Sequence, residues 1–191
     1  MEIRKVNIQD IEKLKEIGKL TFAETFSSEN SEENMTEYLE NGFSTEKLKT
    51  ELTDENTVFY FAELSGNVIG YLKINVRESQ TEIKVKNALE IEQIYVLKEF
   101  HGKKVGQILY DKALELAKEK NVENVWLGVW EENPRAIRFY KKNGFVAFDK
   151  HIFKLGNDEQ TDIMMKLELN KKKPAANTRY TPAQDIAPIY Q

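Results

Sequence analysis

Two short segments hold the residues whose types and spacing can do chemistry. Residues 89–96 (Leu-Glu-Ile-Glu-Gln-Ile-Tyr-Val) read as a strand. They lead into a loop, His101-Gly102-Lys103-Lys104-Val105-Gly106-Gln107, which opens a helix carrying Ile108, Leu109, Ala113, Leu116 and Ala117 on one face. Backbone N–H groups at the start of a helix, reinforced by its dipole, make an anion site. Gly102 and Gly106 let that backbone approach a phosphate closely, and Lys103 and Lys104 add positive charge. An ordinary strand-to-helix connection has the same pattern. The second segment is residues 133–145. Pro134 takes the favoured first helical position and Asn143-Gly144 stops the helix. Ala136 and Tyr140, four residues apart, share a face. Tyr140 can donate a phenolic proton, or fill a half-buried core position. Asn133 can cap the helix or bind a ligand amide.

Composition narrows the chemistry. Cysteine is absent, which excludes disulfides, thiolate metal sites and a cysteine nucleophile. Two histidines, His101 and His151, are too few for a His-rich metal centre, and no HExxH spacing occurs. A formal charge of −4 argues against nucleic acid as the main partner. The stretch 24–55 is crowded with acids, Glu24, Glu37 and Glu40 among them, offset only by Lys47 and Lys49. Such a surface either attracts a polycation or is simply a solvated helix face. There is no run of eighteen apolar residues and no signal-like apolar segment at the start, so no membrane association and a cytoplasmic location are expected.

The elements that must position these residues follow from periodicity. Residues 2–8 alternate as a short strand, and Asp10 is a plausible N-cap for a helix with Ile11, Leu14, Ile17, Leu20 and Thr21 inward. Residues 30–41 read as a second helix with Met35, Tyr38 and Leu39 inward, and a third, short helix capped by Ser44 or Thr45 runs through Leu52. The period then changes. Residues 58–62 and 68–76 form a hairpin about Ser65-Gly66-Asn67, with a polar loop over 78–87. Val125, Leu127 and Val129 alternate with Trp126, Gly128 and Trp130 in a further strand, and residues 145–153 and 161–169 are two last strands about a Gly156-Asn157 turn. A length of 191 residues suits one domain, placed at 1–169, followed by a tail at 170–191.

The order and spacing of these segments resemble the GNAT acetyltransferase superfamily, over residues 1–169. The opening Ile3-Arg4-Lys5-Val6 with Asp10-Ile11-Glu12-Lys13-Leu14 is similar to the start of many members. Residues 101–106 resemble the family's pyrophosphate loop, and residues 133–145 the motif around its general-acid tyrosine. Two positions depart from the loop pattern. His101 stands where it has Gln or Arg, and Lys104 where it has its first Gly. A left-handed backbone there strains Lys104; in the right-handed region Lys104 simply supplies charge. Residues 21–26, 34–39, 126–131 and 159–162 resemble, more narrowly, the PaiA-like spermidine/spermine N-acetyltransferases.

The resemblance implies an α/β (α+β) GNAT fold. It has a mixed sheet of about six or seven strands, splayed between the strands ending near Val96 and Trp130, and about four or five flanking helices. It implies acetyl-CoA as co-substrate and a small cationic amine as acceptor, with no metal. Pantetheine would pair with the backbone around Ile94, Tyr95 and Val96. The diphosphate would sit on His101, Gly102, Lys103, Lys104, Val105, Gly106 and Gln107, while Asn133, Arg135, Ala136, Tyr140 and Lys142 reach the remainder. Glu92 would hold the cation and accept its proton; Glu90, on the same face two residues away, matches the site where other members place a base. Tyr140 would share a proton with the departing thiolate. Glu24, Glu37, Tyr38, Glu40, Asp158 and Gln160 would line the acceptor trough. A protein or peptide amine, which would need an open groove, and a regulatory acetyl-CoA-binding module are the alternative functions. A homodimer is a further expectation.

Overall fold

The computed structural model describes residues 1–28, 30–82, 85–155 and 158–169, with the backbone alone for 153–155 and 158. The expected tail at 170–191 and the Gly156-Asn157 turn lie outside the described residues. In chain order the elements are β1 (Glu2–Lys5), α1 (Ile11–Phe26), α2 (Glu32–Gly42), α3 (Thr45–Thr53), β2 (Thr57–Leu64), β3 (Asn67–Val76), β4 (Ala88–Val96), α4 (Val105–Glu119), β5 (Asn124–Trp130), α5 (Pro134–Lys142), β6 (Val146–Leu155) and β7 (Asp158–Glu168). The strands form one sheet in the order β1-β2-β3-β4-β5-β7-β6. Every pairing is antiparallel except that of β4 with β5.

Alternation along the strands divides the core into two layers. Phe59, Phe61 and Tyr71 face α1, α2 and α3, where they pack with Leu14, Phe22, Met35, Phe43 and Leu48. Ala62, Leu72, Ile74, Leu89, Ile91, Val125 and Leu127 face the other way, onto α4 and α5. The hairpin between β2 and β3 turns on Ser65 and Gly66, both at positive φ (52° and 83°), as a tight two-residue turn requires.

Three local expectations need correction. Asp10 does not cap α1 with its side chain. Asn7 caps the preceding 3-10 turn, and the Asp10 carboxylate accepts from Asn7 N and from Arg4. Leu20 and Ile108, expected inward, are 47% and 36% exposed, because each sits at the edge of its helix's apolar stripe.

Arg4 ties β1 to both ends of its surroundings. Its Nη1 and Nη2 donate to Asp10 at 2.8 and 3.1 Å, and its Nη2 and Nε donate to Glu63 at 2.8 and 3.3 Å. These hydrogen bonds hold both carboxyls below their usual range. A depressed carboxyl stabilises the fold above its unfolded pKa, about 4, and that contribution is lost as pH falls through the lower folded value. Urea midpoints of the wild type should therefore decline below about pH 4, and those of Arg4→Met should decline less steeply over the same range.

The parting of β4 and β5 dominates the architecture. They pair only at Ala88↔Asn124, Leu89↔Val125 and Glu90↔Trp126. Beyond that point β4 keeps β3 alone as partner, while β5 stays with β7 as far as Trp130↔Asp162. The cause is local. β3 pairs Lys73 with Gln93 and then Ile74 with Ile91, leaving Glu92 as an extra residue in β4. Such a bulge bends the strand and raises its twist. It also shifts the alternation, so Leu89 and Ile91, then Ile94 and Val96, face α4, while Glu92 joins Glu90 on the opposite face.

Candidate active site

The gap between the strands presents main-chain groups that β3 does not take. Leu97 N donates back to Ile69 O at 3.0 Å, so the alternate residues Val96 and Ile94 turn their N–H and C=O away from β3, into the gap. The Val96 carbonyl accepts from His101 Nε2 at 2.8 Å, and Arg135 Nη1 contacts His101 Nδ1. Arginine can only donate, so Nδ1 accepts and the ring proton sits on Nε2. His101 and Arg135 thus join the end of β4 to the start of α5. Asn133 spends its side-chain oxygen as the α5 cap, accepting from Ala136 N at 3.0 Å. Lys142 is exposed at the far end of that helix.

The loop ahead of α4 is shaped for an anion. Gly102 has φ 80° and open space around it. Lys104 is the residue before the helix, at φ 65° and ψ 7°, with no side-chain cap bond. The left-handed alternative considered for Lys104 is therefore the one observed. The first-turn N–H groups of Val105, Gly106 and Gln107 have no intrahelical acceptor and point out of the helix end. A lysine pays a steric cost at this backbone that a glycine does not. Lys104→Gly should stabilise the apo protein by roughly 0.5–1 kcal/mol, the left-handed cost of about 1–2 less glycine's larger unfolded-chain entropy. The same variant should bind acetyl-CoA more weakly at low salt; thermal unfolding and a salt-dependent titration check both.

On the opposite face of the sheet the parted strands open a cavity of about 290 Å³. Its floor is Trp126, Gly128 and Trp130 from β5, with Glu90, Glu92 and Tyr95 from β4 along one side. Phe22, Phe26 and Tyr38 from α1 and α2 cover it, and Asp162 and His151 come from the last hairpin. Trp126 is fixed by its indole N–H, which donates to Gln80 at 2.7 Å.

The carboxylates differ in their commitments. Glu90 is 2% exposed; it accepts from Thr81 N at 2.8 Å, from the Thr81 hydroxyl and from Asn75 Nδ2 at 3.1 Å, and burial pushes its carboxyl up. Glu92 is paired with the buried Lys73 ammonium at 2.7 Å and accepts from Asn75. Lys73 also pairs with Glu51 of α3 at 3.0 Å. Asp162 has no hydrogen bond or ion pair among the described residues, and burial pushes its carboxyl up to about 6, with His151 opposing. His151 itself contacts Glu82. Burial, then Glu92, Glu51 and Asp162, push the Tyr38 phenol up to about 12.

Tyr140 lies behind the gap, on the α4 side, and is 9% exposed among Phe139, Phe145 and Tyr110. Burial raises its pKa strongly, so it stays a neutral phenol, and its charge state is felt by Tyr95 on β4. Its hydroxyl has no hydrogen-bond partner among the described residues.

Glu92 and Glu90, expected to act on the amine, come together with Tyr38, expected in the acceptor trough. Others do not. Glu24 accepts from Lys98 N at 2.8 Å and holds the turn after β4. Glu37 and Glu40 lie on the outer side of α2 in a shallow groove with Glu32 and Glu33, because the helix turns Tyr38 inward. Gln160 is buried and donates to Asn30 at 2.9 Å, joining β7 to the α1–α2 connection. The Asp158 side chain lies outside the described residues. Asp162, Lys73 and Gly128 were missed. Two of them carried a signal: a lone charge in an apolar strand for Lys73, and for Gly128 its place between two tryptophans on one strand face; Asp162 lies in a strand with four other charged residues and did not stand out.

The acetyltransferase (GNAT) family matches residues 15–145. An uncharacterized N-acetyltransferase of Lactobacillus delbrueckii subsp. lactis is 39% identical over 169 residues, covering 88% of this chain and 98% of its own. A spermidine N(1)-acetyltransferase of Thermoplasma acidophilum is 28% identical over 153 residues, 78% of this chain and 90% of its own. Among solved structures, the PaiA N-acetyltransferase from Thermoplasma acidophilum in complex with coenzyme A superposes with a TM-score of 0.73 at 27% identity, covering 87% of this chain and 98% of that one. The chain belongs to the GNAT acetyltransferase family, on its PaiA-like side, and is an acetyl-CoA-dependent N-acetyltransferase.

Proposed function

We propose that this enzyme acetylates a primary amine of a polyamine, spermidine or spermine, by direct attack on the thioester. The observation that carries the reading is the cavity at the parted strands, where carboxylates of Glu90, Glu92 and Asp162 meet aromatic walls of Tyr38, Tyr95, Trp126 and Trp130. Carboxylates hold ammonium groups, and aromatic faces attract them and cover the methylenes between. The cover of Phe22, Phe26 and Tyr38 suits a slender acceptor better than a peptide main chain. The similarity to a spermidine N(1)-acetyltransferase supports the same choice.

Acetyl-CoA supplies the activated acyl group. The residues present fit it: the first-turn N–H groups of α4, with Lys103 and Lys104, suit the diphosphate, and the gap-facing main chain of Ile94 and Val96 suits the amide-bearing arm. Glu92, held by Lys73 and Asn75, contributes to the negative field that draws the cation. Tyr140 offers its phenolic proton to the departing sulfur from behind the gap. With cysteine absent, no thiol can carry the acetyl group between substrates.

The test is thiol release from acetyl-CoA with spermidine, spermine, a lysine peptide or buffer alone. The reading expects turnover with the polyamines well above that with the peptide. Preference for the peptide would overturn the polyamine assignment, and release with none of the amines would favour a regulatory acetyl-CoA-binding role.

A further inference from the structure

Resting on the reading of the cavity as an amine-acetylation site, we propose that Asp162 takes the proton from the attacking amine, and that Gly128 lacks a side chain so that this carboxylate stays open to it. The other two carboxylates are already engaged. Glu92 gives its oxygens to Lys73 and Asn75, and Glu90 gives its oxygens to Thr81 and Asn75. Asp162 has no such partner among the described residues. It stands on β7 opposite Trp130, at the last rung of the β5–β7 ladder.

Its place relative to the gap is set by Gly128. That residue lies two positions beyond Trp126, the last residue of β5 to pair with β4, so it sits where the strands have parted. Gly128 is exposed to the cavity, and a Cβ built on it would lie 3.3 Å from Asp162 Oδ2. A methyl group at that distance would crowd the oxygen and occupy the space an amine needs beside it. The φ of Gly128 is not in the left-handed region, so backbone freedom does not account for the glycine.

The electrostatic surroundings agree. Burial lifts the Asp162 carboxyl to about 6, a better proton acceptor than an ordinary aspartate yet still ionised at neutral pH. The groups facing it are His151 on β6, which opposes the lift and is itself paired with Glu82, together with Tyr38 of α2 and Glu90, Glu92 and Tyr95 across the cavity on β4. An N–H bond of the ammonium breaks toward Asp162, and the freed lone pair forms the C–N bond at the thioester carbonyl carbon. The C–S bond then breaks. A second N–H proton, acidic once the C–N bond exists, leaves to water, and the departing thiolate, hydrogen-bonded by the Tyr140 phenol, takes a proton from water in turn. Asp162 returns its proton to water, so one proton is released per acetamide formed.

The experiment measures kcat/KM for spermidine across pH 5–9, and acetyl-CoA affinity, in wild type, Asp162→Asn, Glu92→Gln and Gly128→Ala. Asp162→Asn should lose about a hundredfold in kcat/KM, lose the acid limb near pH 6 and keep its acetyl-CoA affinity. Gly128→Ala should raise the amine KM more than it lowers kcat. An Asp162→Asn enzyme that keeps its acid limb and stays within about threefold of wild type overturns the proposal. So does an acid limb that vanishes only in Glu92→Gln. Should Asp162→Asn fold poorly, Asp162→Glu decides: an acid limb displaced in pH supports the assignment, and one left in place rejects it. If wild type ignores spermidine but acetylates another amine, the polyamine reading fails alone and the same variants are read with that amine. If no amine is acetylated, both fall.

Discussion

Tyr140→Phe should turn over about a hundredfold more slowly than wild type while binding acetyl-CoA equally well. The phenol is buried behind the gap among Phe139, Phe145 and Tyr110, and burial keeps it protonated far above neutral pH. Its hydroxyl has no partner among the described residues, so phenylalanine fits the same space and breaks no protein hydrogen bond. The fold should therefore be indifferent to the change, and a loss in kcat reports chemistry. The effect has a ceiling. A thiol is a stronger acid than a phenol, with reference values of about 8.5 and 10, so full proton transfer to the sulfur is uphill. On the proposed reading Tyr140 would supply a hydrogen bond strengthening as charge builds on the leaving group, for which a few kcal/mol is the usual scale. Single-turnover kinetics with pre-bound acetyl-CoA check it. Equal loss in kcat and in acetyl-CoA affinity would mean that Tyr140 packs the site and does not act on the sulfur.

The sequence carried the frame of this site better than its interior. Alternation and the loop at 101–106 located β4 and the start of α4, because those depend on local periodicity and turn chemistry, whereas the gap was expected only from the family resemblance. Tyr38 was legible as an inward residue of α2, but its neighbours Glu37 and Glu40 were assigned to the same trough from the family resemblance and their charge. A helix turns residues 100° apart, so adjacent acids on a solvated face do not follow the aromatic into a cavity. Glu24 and Gln160 failed differently: each has a specific partner far along the chain, Lys98 and Asn30, which no local pattern reveals. The bulge at Glu92 was also out of reach, since it is a property of the register between β3 and β4. That one extra residue explains why Ile91 and Ile94, three residues apart, share one face while the adjacent Glu92 and Gln93 both line the cavity on the other.

Lys73→Met should destabilise the protein by about 3–5 kcal/mol, the usual cost of removing one member of a buried ion pair. Lys73 is 5% exposed and lies between Glu51 of α3 and Glu92 of the β4 bulge, so its loss takes the buried cation from two carboxylates at once, leaving Glu51 the more distant Lys47 at 3.9 Å and Glu92 the Asn75 amide. Burial alone would pull its ammonium pKa down; Glu92 and Glu51 more than offset that, and the pKa is raised. A raised lysine pKa contributes stability throughout the range below its unfolded value of about 10.4, and that contribution is lost as pH rises through the higher folded value. The wild-type advantage over Lys73→Met should accordingly hold at neutral pH and shrink only in strong alkali. Urea unfolding at pH 7 and at pH 11 measures both parts. The penalty comes from unpaired charge rather than from lost volume, since Met fills most of the lysine stem. Adding Glu92→Gln to Lys73→Met should then recover a large share of the loss, whereas in the wild-type background Glu92→Gln should cost stability. That reversal of sign separates an electrostatic brace beneath the cavity from simple packing: if Glu92→Gln costs the same in both backgrounds, Lys73 and Glu92 do not act as a pair, and the bulge is held by its backbone alone.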